Sequence, residues 1–250
     1  MRASSQEKER GSTQKDTAKG RLGKKPESLT ERTYEQLRRD ILSCVLEPGS
    51  EVSEADLAER LSVSKTPVRE ALGRLRVEGF VKTYPRRGYQ ILPLTIADMD
   101  ELFDMRSIVE GGCGALATER ISETSLARLS DLADASYDST ALDTLERFIS
   151  ANRDFHMAIA IATGNRRIQQ TTSRLLDELE RFFYVGARNR DVNTEVHADH
   201  HRIVDVLRSR DPDAARKIMV EHNELTRRGL LQVIANGGWG SSGRLRVVVS

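Results

Sequence analysis

The sequence is poor in several features that mark whole protein classes. It holds two cysteines in 250 residues, Cys44 and Cys113, with no C-x-x-C pair. Neither a disulfide scaffold nor a cysteine-rich zinc module is expected from that. No run approaches the roughly 18 apolar residues that a spanning helix needs, so no membrane partner is expected. The start, MRASSQEKERGSTQKDTAKG, has no apolar h-region, which argues against a secretory signal and for a cytoplasmic protein. An excess of one charge is lacking too: 39 Lys/Arg face 38 Asp/Glu, a net +1. Hydrophobic residues make up 38% and charged residues 31%, enough apolar material for a packed core with charged helix faces around it.

The balance hides a split. Up to Leu94 there are 19 basic and 14 acidic residues; from Thr95 onward there are 20 and 24. A basic first part joined to an acidic second part suggests a nucleic-acid reader attached to something else. Residues 1–28 hold only Met1 and Leu22 as large apolar side chains. They cannot bury enough surface to offset chain entropy and read as a disordered arm.

A helical pattern runs from Thr30, as N-cap, to about Leu46, with Tyr34, Leu37, Ile41, Leu42 and Val45 on one face. Pro48-Gly49 ends it. Ser53 caps a short helix to Leu61, Ser62-Val63-Ser64 is a tight turn, and Ser64 caps a helix over 65–78 with Pro67 in its first turn. After Gly79 the period changes to two. Phe80 to Tyr84 and Tyr89 to Leu92 read as strands, and Pro85-Arg86-Arg87-Gly88 as the turn between them. From Thr95 no strand signal follows. Helical patterns cover roughly 95–119, 122–138, 141–163, 166–188, 194–209 and 212–235, with Thr95, Ser122, Asn165, Thr194 and Asp211 as N-caps. The expected fold is mainly α: a disordered arm (1–28), a winged helix-turn-helix with a two-stranded wing (29–93), an antiparallel all-helical bundle (95–235) and a flexible Gly/Ser-rich tail (236–250).

In a winged helix-turn-helix the third helix enters the major groove of double-stranded DNA. Ser64, Lys65 and Thr66 at its start suit phosphates or base edges, and Arg69 has the fork for guanine O6 and N7. Arg86, Arg87 and Gly88 at the wing tip suit the adjacent minor groove or its phosphates. Arg74 and Arg76 are expected to face outward or along the DNA backbone. The run Pro48-Gly49 … Leu57-Ala58-Glu59-Arg60-Leu61-Ser62-Val63-Ser64-Lys65-Thr66-Pro67-Val68-Arg69-Glu70-Ala71-Leu72 … Glu78-Gly79-Phe80-Val81 … Pro85-Arg86-Arg87-Gly88 strongly resembles the DNA-binding domain of GntR-family bacterial transcription regulators. That resemblance implies operator contacts through Ser64, Lys65, Thr66 and Arg69. The family more often has Arg where Lys65 stands; Lys holds a phosphate but loses the bidentate fork.

In the second part, Asn152 and His156 lie four residues apart, on one helix face, while His200 and His222 lie on two further helices. Three imidazoles converging in a bundle suit Zn²⁺ or another borderline divalent ion. The order Met105-Arg106 … Glu110 … Ala117, Asn152 … Phe155-His156, Gly164-Asn165, His200 … Ile203 … Leu207 and Ala215 … His222 resembles the FCD-type effector domain of the FadR subfamily. The resemblance implies a metal held by one carboxylate and three histidines, with the carboxylate position on Asn152. Asn is neutral and a poor zinc ligand, and Asp154 points about 200° around the helix from it. Metal could then be held more weakly, be completed by water or by the effector, or be absent. His200 is preferred to its neighbour His201 on register; His197, His200 and His201 as surface histidines is the other reading.

Arg106 would point into the bundle. A buried Arg needs an anionic partner, which is either a ligand carboxylate or Glu110, four residues on. The effector set is thus Arg106, Asn152, His156, His200 and His222, and the resemblance implies a small organic acid or related anionic metabolite. The whole points to a homodimeric, metabolite-responsive repressor on operator DNA, in the cytoplasm with the nucleoid. The alternative is a metal-dependent hydrolase or lyase with an accessory winged helix, using the three histidines to activate water. No H-E-x-x-H, G-x-S-x-G, P-loop or G-x-G-x-x-G signature supports it.

Overall fold

The computed structural model describes residues 28–84, 88–138 and 141–235. The expectations for the arm, the tail, Arg86 and Arg87 lie outside the described residues.

The first unit starts with α1 (Leu29–Leu42), which Ser28 caps by accepting from the Glu31 amide. Thr30 is not the cap; its hydroxyl donates to Glu70. The helix stops short of Leu46 because Cys44 takes a left-handed turn at φ 56°, after which the Leu46 amide bonds back to the Asp40 carbonyl. That turn puts Leu46 inside and leaves Val45 exposed, against the helical expectation for Val45. α2 (Glu54–Leu61) is capped by Ser53, and Ser62 in the left-handed region ends it. α3 (Lys65–Val77) follows with Pro67 buried in its first turn. Leu37, Ile41, Val68, Leu72, Leu75 and Ile91 close a core among these helices and the sheet.

The wing has one strand more than expected. β2 (Val81–Tyr84) pairs antiparallel with β3 (Gly88–Ile91), and the two-residue β1 (Glu51–Val52) pairs with the other edge of β3, in the order β1-β3-β2. Two residues carry no period, which is why β1 is silent in the sequence. Gly88 belongs to β3 and not to the turn.

Six helices follow among the described residues: α4 (Ile96–Thr118), α5 (Glu123–Ala133), α6 (Leu142–Ala162), α7 (Arg166–Asn189), α8 (Asn193–Arg208) and α9 (Pro212–Ala235). Thr95, Ser122, Asn165 and Asp211 cap as expected, each side-chain oxygen accepting amides of the first turn. At α8 the N-cap is Val192, not Thr194. α5 ends at Ala133, ahead of the expected 138. Leu129, Phe155, Ile159, Ile203, Leu207 and Met219 form the main core of the bundle.

α4 and α9 run in close contact because α4 carries glycine where they meet. A Cβ on Gly114 would stand 2.7 Å from the Ala215 carbonyl oxygen and 2.8 Å from Met219 Cγ. The two units are joined by a third core, in which Leu94, Phe103, Leu179 and Phe182 pack together and Cys44 packs against them. Arg38 of α1 also reaches Asp177 of α7 at 2.9 Å. Gly114→Ala is expected to cost about 1–3 kcal/mol of stability through overpacking, read as a lower urea midpoint at unchanged slope.

Candidate functional site

The outward face of α3 follows from its inward one. Pro67, Val68, Ala71, Leu72 and Leu75 are buried, which leaves Ser64, Lys65, Thr66 and Arg69 exposed. The Ser64 hydroxyl makes no cap bond, contrary to expectation, and stays available at the helix start. Arg69 is held by Glu54 of α2: Nε donates to Oε1 at 2.9 Å and Nη2 to Oε2 at 2.7 Å. The Tyr89 hydroxyl donates to the same carboxylate at 3.3 Å. Hydrogen bonding by Arg69 holds the Glu54 carboxyl below its usual range. The guanidinium therefore has a fixed bearing beside the start of α3, set by a residue 15 positions away.

Gly88 has a backbone reason to be glycine. Its φ is +94°, and a Cβ there would meet the Val52 carbonyl oxygen at 2.7 Å. Arg74 turns back onto α1, with its guanidinium 3.6 Å from the Tyr34 ring centroid and Nη1 bonded to Glu31.

Inside the bundle, α6, α8 and α9 bring His156, His200 and His222 together. Their ring centroids lie 5.1–5.5 Å apart and their side chains are all buried. Candidate ligand atoms of the three lie within 4.8 Å of one another. His200, not His201, turns inward; it stacks on Phe155 at 3.9 Å between centroids, which fixes its plane. Burial lowers the pKa of all three rings, that of His156 to about 4 against the pull of Glu110. They are neutral near pH 7; His200 and His222 each keep an unpaired ring nitrogen, whereas His156 Nε2 faces Arg106.

Arg106 reaches this cluster from α4 and meets Glu110, one of the two partners that the sequence offered, together with His156, which the sequence did not offer. Its Nε donates to Glu110 Oε2 at 3.0 Å, and its Nη2 lies 2.8 Å from His156 Nε2. Glu110 Oε2 also lies 3.2 Å from His156 Nδ1. Burial alone would raise the Glu110 carboxyl, but Arg106, with His156, outweighs it and holds it at about 2. Even so the polar atoms are not all satisfied: Arg106 Nη1, Glu110 Oε1, His200 Nε2 and His222 Nδ1 are buried without a hydrogen-bond partner.

A cavity of about 570 Å³ opens beside them, lined by Arg106, Asn152, Asp199 and His222 among polar residues and by Phe148 and Phe183 among apolar ones. His156 and His200 stand behind His222 and do not line it. Asp199 lies 3.7 Å from His222 Nδ1 and counters the burial that lowers this ring. Neither Asp199 nor the joint hold of Glu110 on Arg106 and His156 was legible in the sequence. The i,i+4 spacing of Arg106 and Glu110 was the only signal, and it did not reveal the histidine between them.

A basic-faced winged helix joined to a helical bundle with a polar-ended cavity defines a DNA-binding regulator. Residues 29–91 match the family described as bacterial regulatory proteins, gntR family, and residues 101–225 match the FCD domain. The chain is 31% identical over 206 residues to the HTH-type transcriptional regulator BphR of Paraburkholderia xenovorans (strain LB400), covering 79% of this chain and 83% of that one. It is 25% identical to the HTH-type transcriptional repressor RspR of Escherichia coli (strain K12), over 78% and 85%. Among solved structures, a GntR transcriptional regulator from Rhodococcus sp. RHA1 matches with TM-score 0.64 at 26% identity, covering 81% of this chain and 97% of that one. Escherichia coli McbR/YncC shares the fold at TM-score 0.68 and 24% identity, over 83% and 99%. The chain belongs to the GntR family of transcription regulators and carries an FCD domain. These names are those of regulators, and none of them supports the hydrolase or lyase alternative. Among the described residues no helix is long and apolar enough to cross a membrane.

Glu110→Ala leaves the Arg106 guanidinium buried without its carboxylate and is expected to cost about 3–5 kcal/mol. Arg106→Met together with Glu110→Leu removes both charges and is expected to recover most of that loss. Denaturant midpoints of the three proteins check both outcomes.

Proposed function

We propose that this regulator is a repressor that binds operator DNA as a homodimer and responds to a small organic acid in the cavity beside its three histidines. Residues 29–93 read DNA; residues 95–235 bind the effector and dimerise. The observation that carries the effector reading is Arg106 Nη1, a buried guanidinium nitrogen without a partner on a residue that lines the cavity. A carboxylate there would gain a charge-assisted hydrogen bond and relieve an unpaired donor. The cavity volume falls within the range of small-molecule sites.

The donor set fits a divalent metal, Zn²⁺ first, held by His156, His200 and His222. The buried unpaired His200 Nε2 and His222 Nδ1 support that reading. Asn152 lines the cavity on the same face of α6 as His156, but it offers no charge. A carboxylate effector would be held by Arg106 and, were the ion bound, would also be drawn to it. A bound metal would supply Lewis-acid attraction for that carboxylate. Arg106, Asn152 and His222 orient it, and Phe148 and Phe183 exclude water from its apolar part.

On α4, Met105, Ile108 and Leu116 are exposed, and Gly112 has open space where a Cβ would be. These four positions share one helix face, which suits a second copy of the chain. Signal passes through α6: Arg153, next to Asn152, bonds Asp177 at 2.8 Å, and Asp177 also holds Arg38 of α1. An effector that shifts α6 moves the anchor of the DNA-reading unit. Such a protein works in the cytoplasm, against the chromosome.

Elemental analysis tests the metal: His156→Ala is expected to hold about one divalent ion per chain fewer than the parent. No metal in either protein overturns that reading. A small carboxylate that saturates the cavity without changing operator affinity overturns the response. On DNA, Arg69→Ala is expected to cost about 1–3 kcal/mol and relax base preference. Lys65→Ala is expected to weaken binding to all sequences alike and to flatten the salt dependence by about one ion. Titrations of operator and unrelated duplexes at several salt concentrations separate the two.

A further inference from the structure

The outer face of α8 carries a second convergence of ligating side chains, which the reading above does not use. His197 and His201 stand four residues apart on that face, with ring centroids 4.4 Å apart. Asp134, the residue that ends α5, meets them. Its Oδ1 lies 2.8 Å from His201 Nε2 and 3.3 Å from His197 Nε2. The ligand atoms of all three lie within 4.8 Å of one another. His200, between them in sequence, is buried in the bundle, so α8 presents imidazoles both to the core and to solvent.

The arrangement has the chemistry of a chelate. Two imidazole nitrogens on one helix and a carboxylate oxygen from the end of another lie close enough together to share one ion. Helical spacing fixes the two rings, and the packing of α5 on α8 fixes the carboxylate. All three side chains are partly open to solvent, at 54%, 36% and 64% for His197, His201 and Asp134, so water can take further positions. Nitrogen donors disfavour Ca²⁺ and Mg²⁺, which take oxygen, and favour the late first-row ions.

We propose that Asp134, His197 and His201 form a surface site for a borderline divalent cation, Zn²⁺, Ni²⁺ or Cu²⁺, separate from the buried histidines. His197 and His201 bind through Nε2 and Asp134 through Oδ1. A bound ion ties the end of α5 to α8, the helix that also carries His200 and Asp199. The site shares no ligand with the buried cluster and does not rest on metal binding there.

The test uses the full chain, stripped with a chelator and titrated with Zn²⁺ against a chromophoric competitor. His197→Ala/His201→Ala is expected to bind one equivalent fewer than the parent: one against two if the buried histidines take metal, none against one if they do not. In a His156→Ala/His222→Ala background, one equivalent is expected to remain. Asp134→Asn should then weaken it by about 10–100-fold or more, the scale on which even supporting partners of a metal act. Cu²⁺ bound in that background should show electron paramagnetic resonance splitting from two nitrogens. Equal stoichiometry and affinity in the parent and His197→Ala/His201→Ala overturns the proposal. So does half an equivalent per chain, which would mean an ion shared between two molecules. If the buried-site background fails to fold, the comparison of parent with His197→Ala/His201→Ala decides the matter alone.

Discussion

The pairing of Arg106 with Glu110 at the centre of the bundle governs the rest of the site. Taking a guanidinium and a carboxylate out of water costs several kcal/mol per ion, and mutual attraction offsets this only with close geometry. Their 3.0 Å contact meets that condition, yet it leaves Arg106 Nη1 and Glu110 Oε1 unpaired. The pair also takes in His156, whose two ring nitrogens lie at Arg106 Nη2 and near Glu110 Oε2. A bundle core filled with leucine would be easier to fold. One holding a half-satisfied charge pair beside a cavity would, on the effector proposal, prefer an anion that pairs with Arg106 Nη1.

That preference needs rigid walls. Gly114 lets α4 and α9 approach closely enough to hold Arg106 and His222 on one site. Phe155 stacked on His200 does the same for α8. An ion pair ties α6, which lines the cavity, to the first unit. Asp177 is the shared partner, accepting from Arg153 of α6 and Arg38 of α1. The same rigidity puts α8 between two sets of imidazoles, one dry and one wet. Burial separates their chemistry: inside, the rings are held neutral by desolvation; outside, they meet a carboxylate in reach of water.

The DNA-reading face follows a parallel logic. Its helix is positioned by apolar residues at helical spacing, while Arg69 is held by Glu54, which also accepts from Tyr89. On the proposed reading, Arg69 would exchange that carboxylate for a base edge when DNA arrives.

Much of this was written locally. Caps at Ser53, Thr95, Ser122, Asn165 and Asp211, the change of period after Gly79, and the facing positions of Asn152 and His156 each depend on residues within four places of one another. Periodicity and capping act over that range, so helix order, the winged unit and the three inward histidines were legible in the amino-acid sequence. Other features required the folded chain. The strand β1 and the Glu54–Arg69 pair depend on partners that only tertiary contact supplies. So do the hold of Arg106 on His156, 50 residues apart, and the presence of Asp199 in the cavity wall. Side-chain chemistry names what each residue can bond; which of several partners it meets is settled by packing, because burial makes an unmade bond costly.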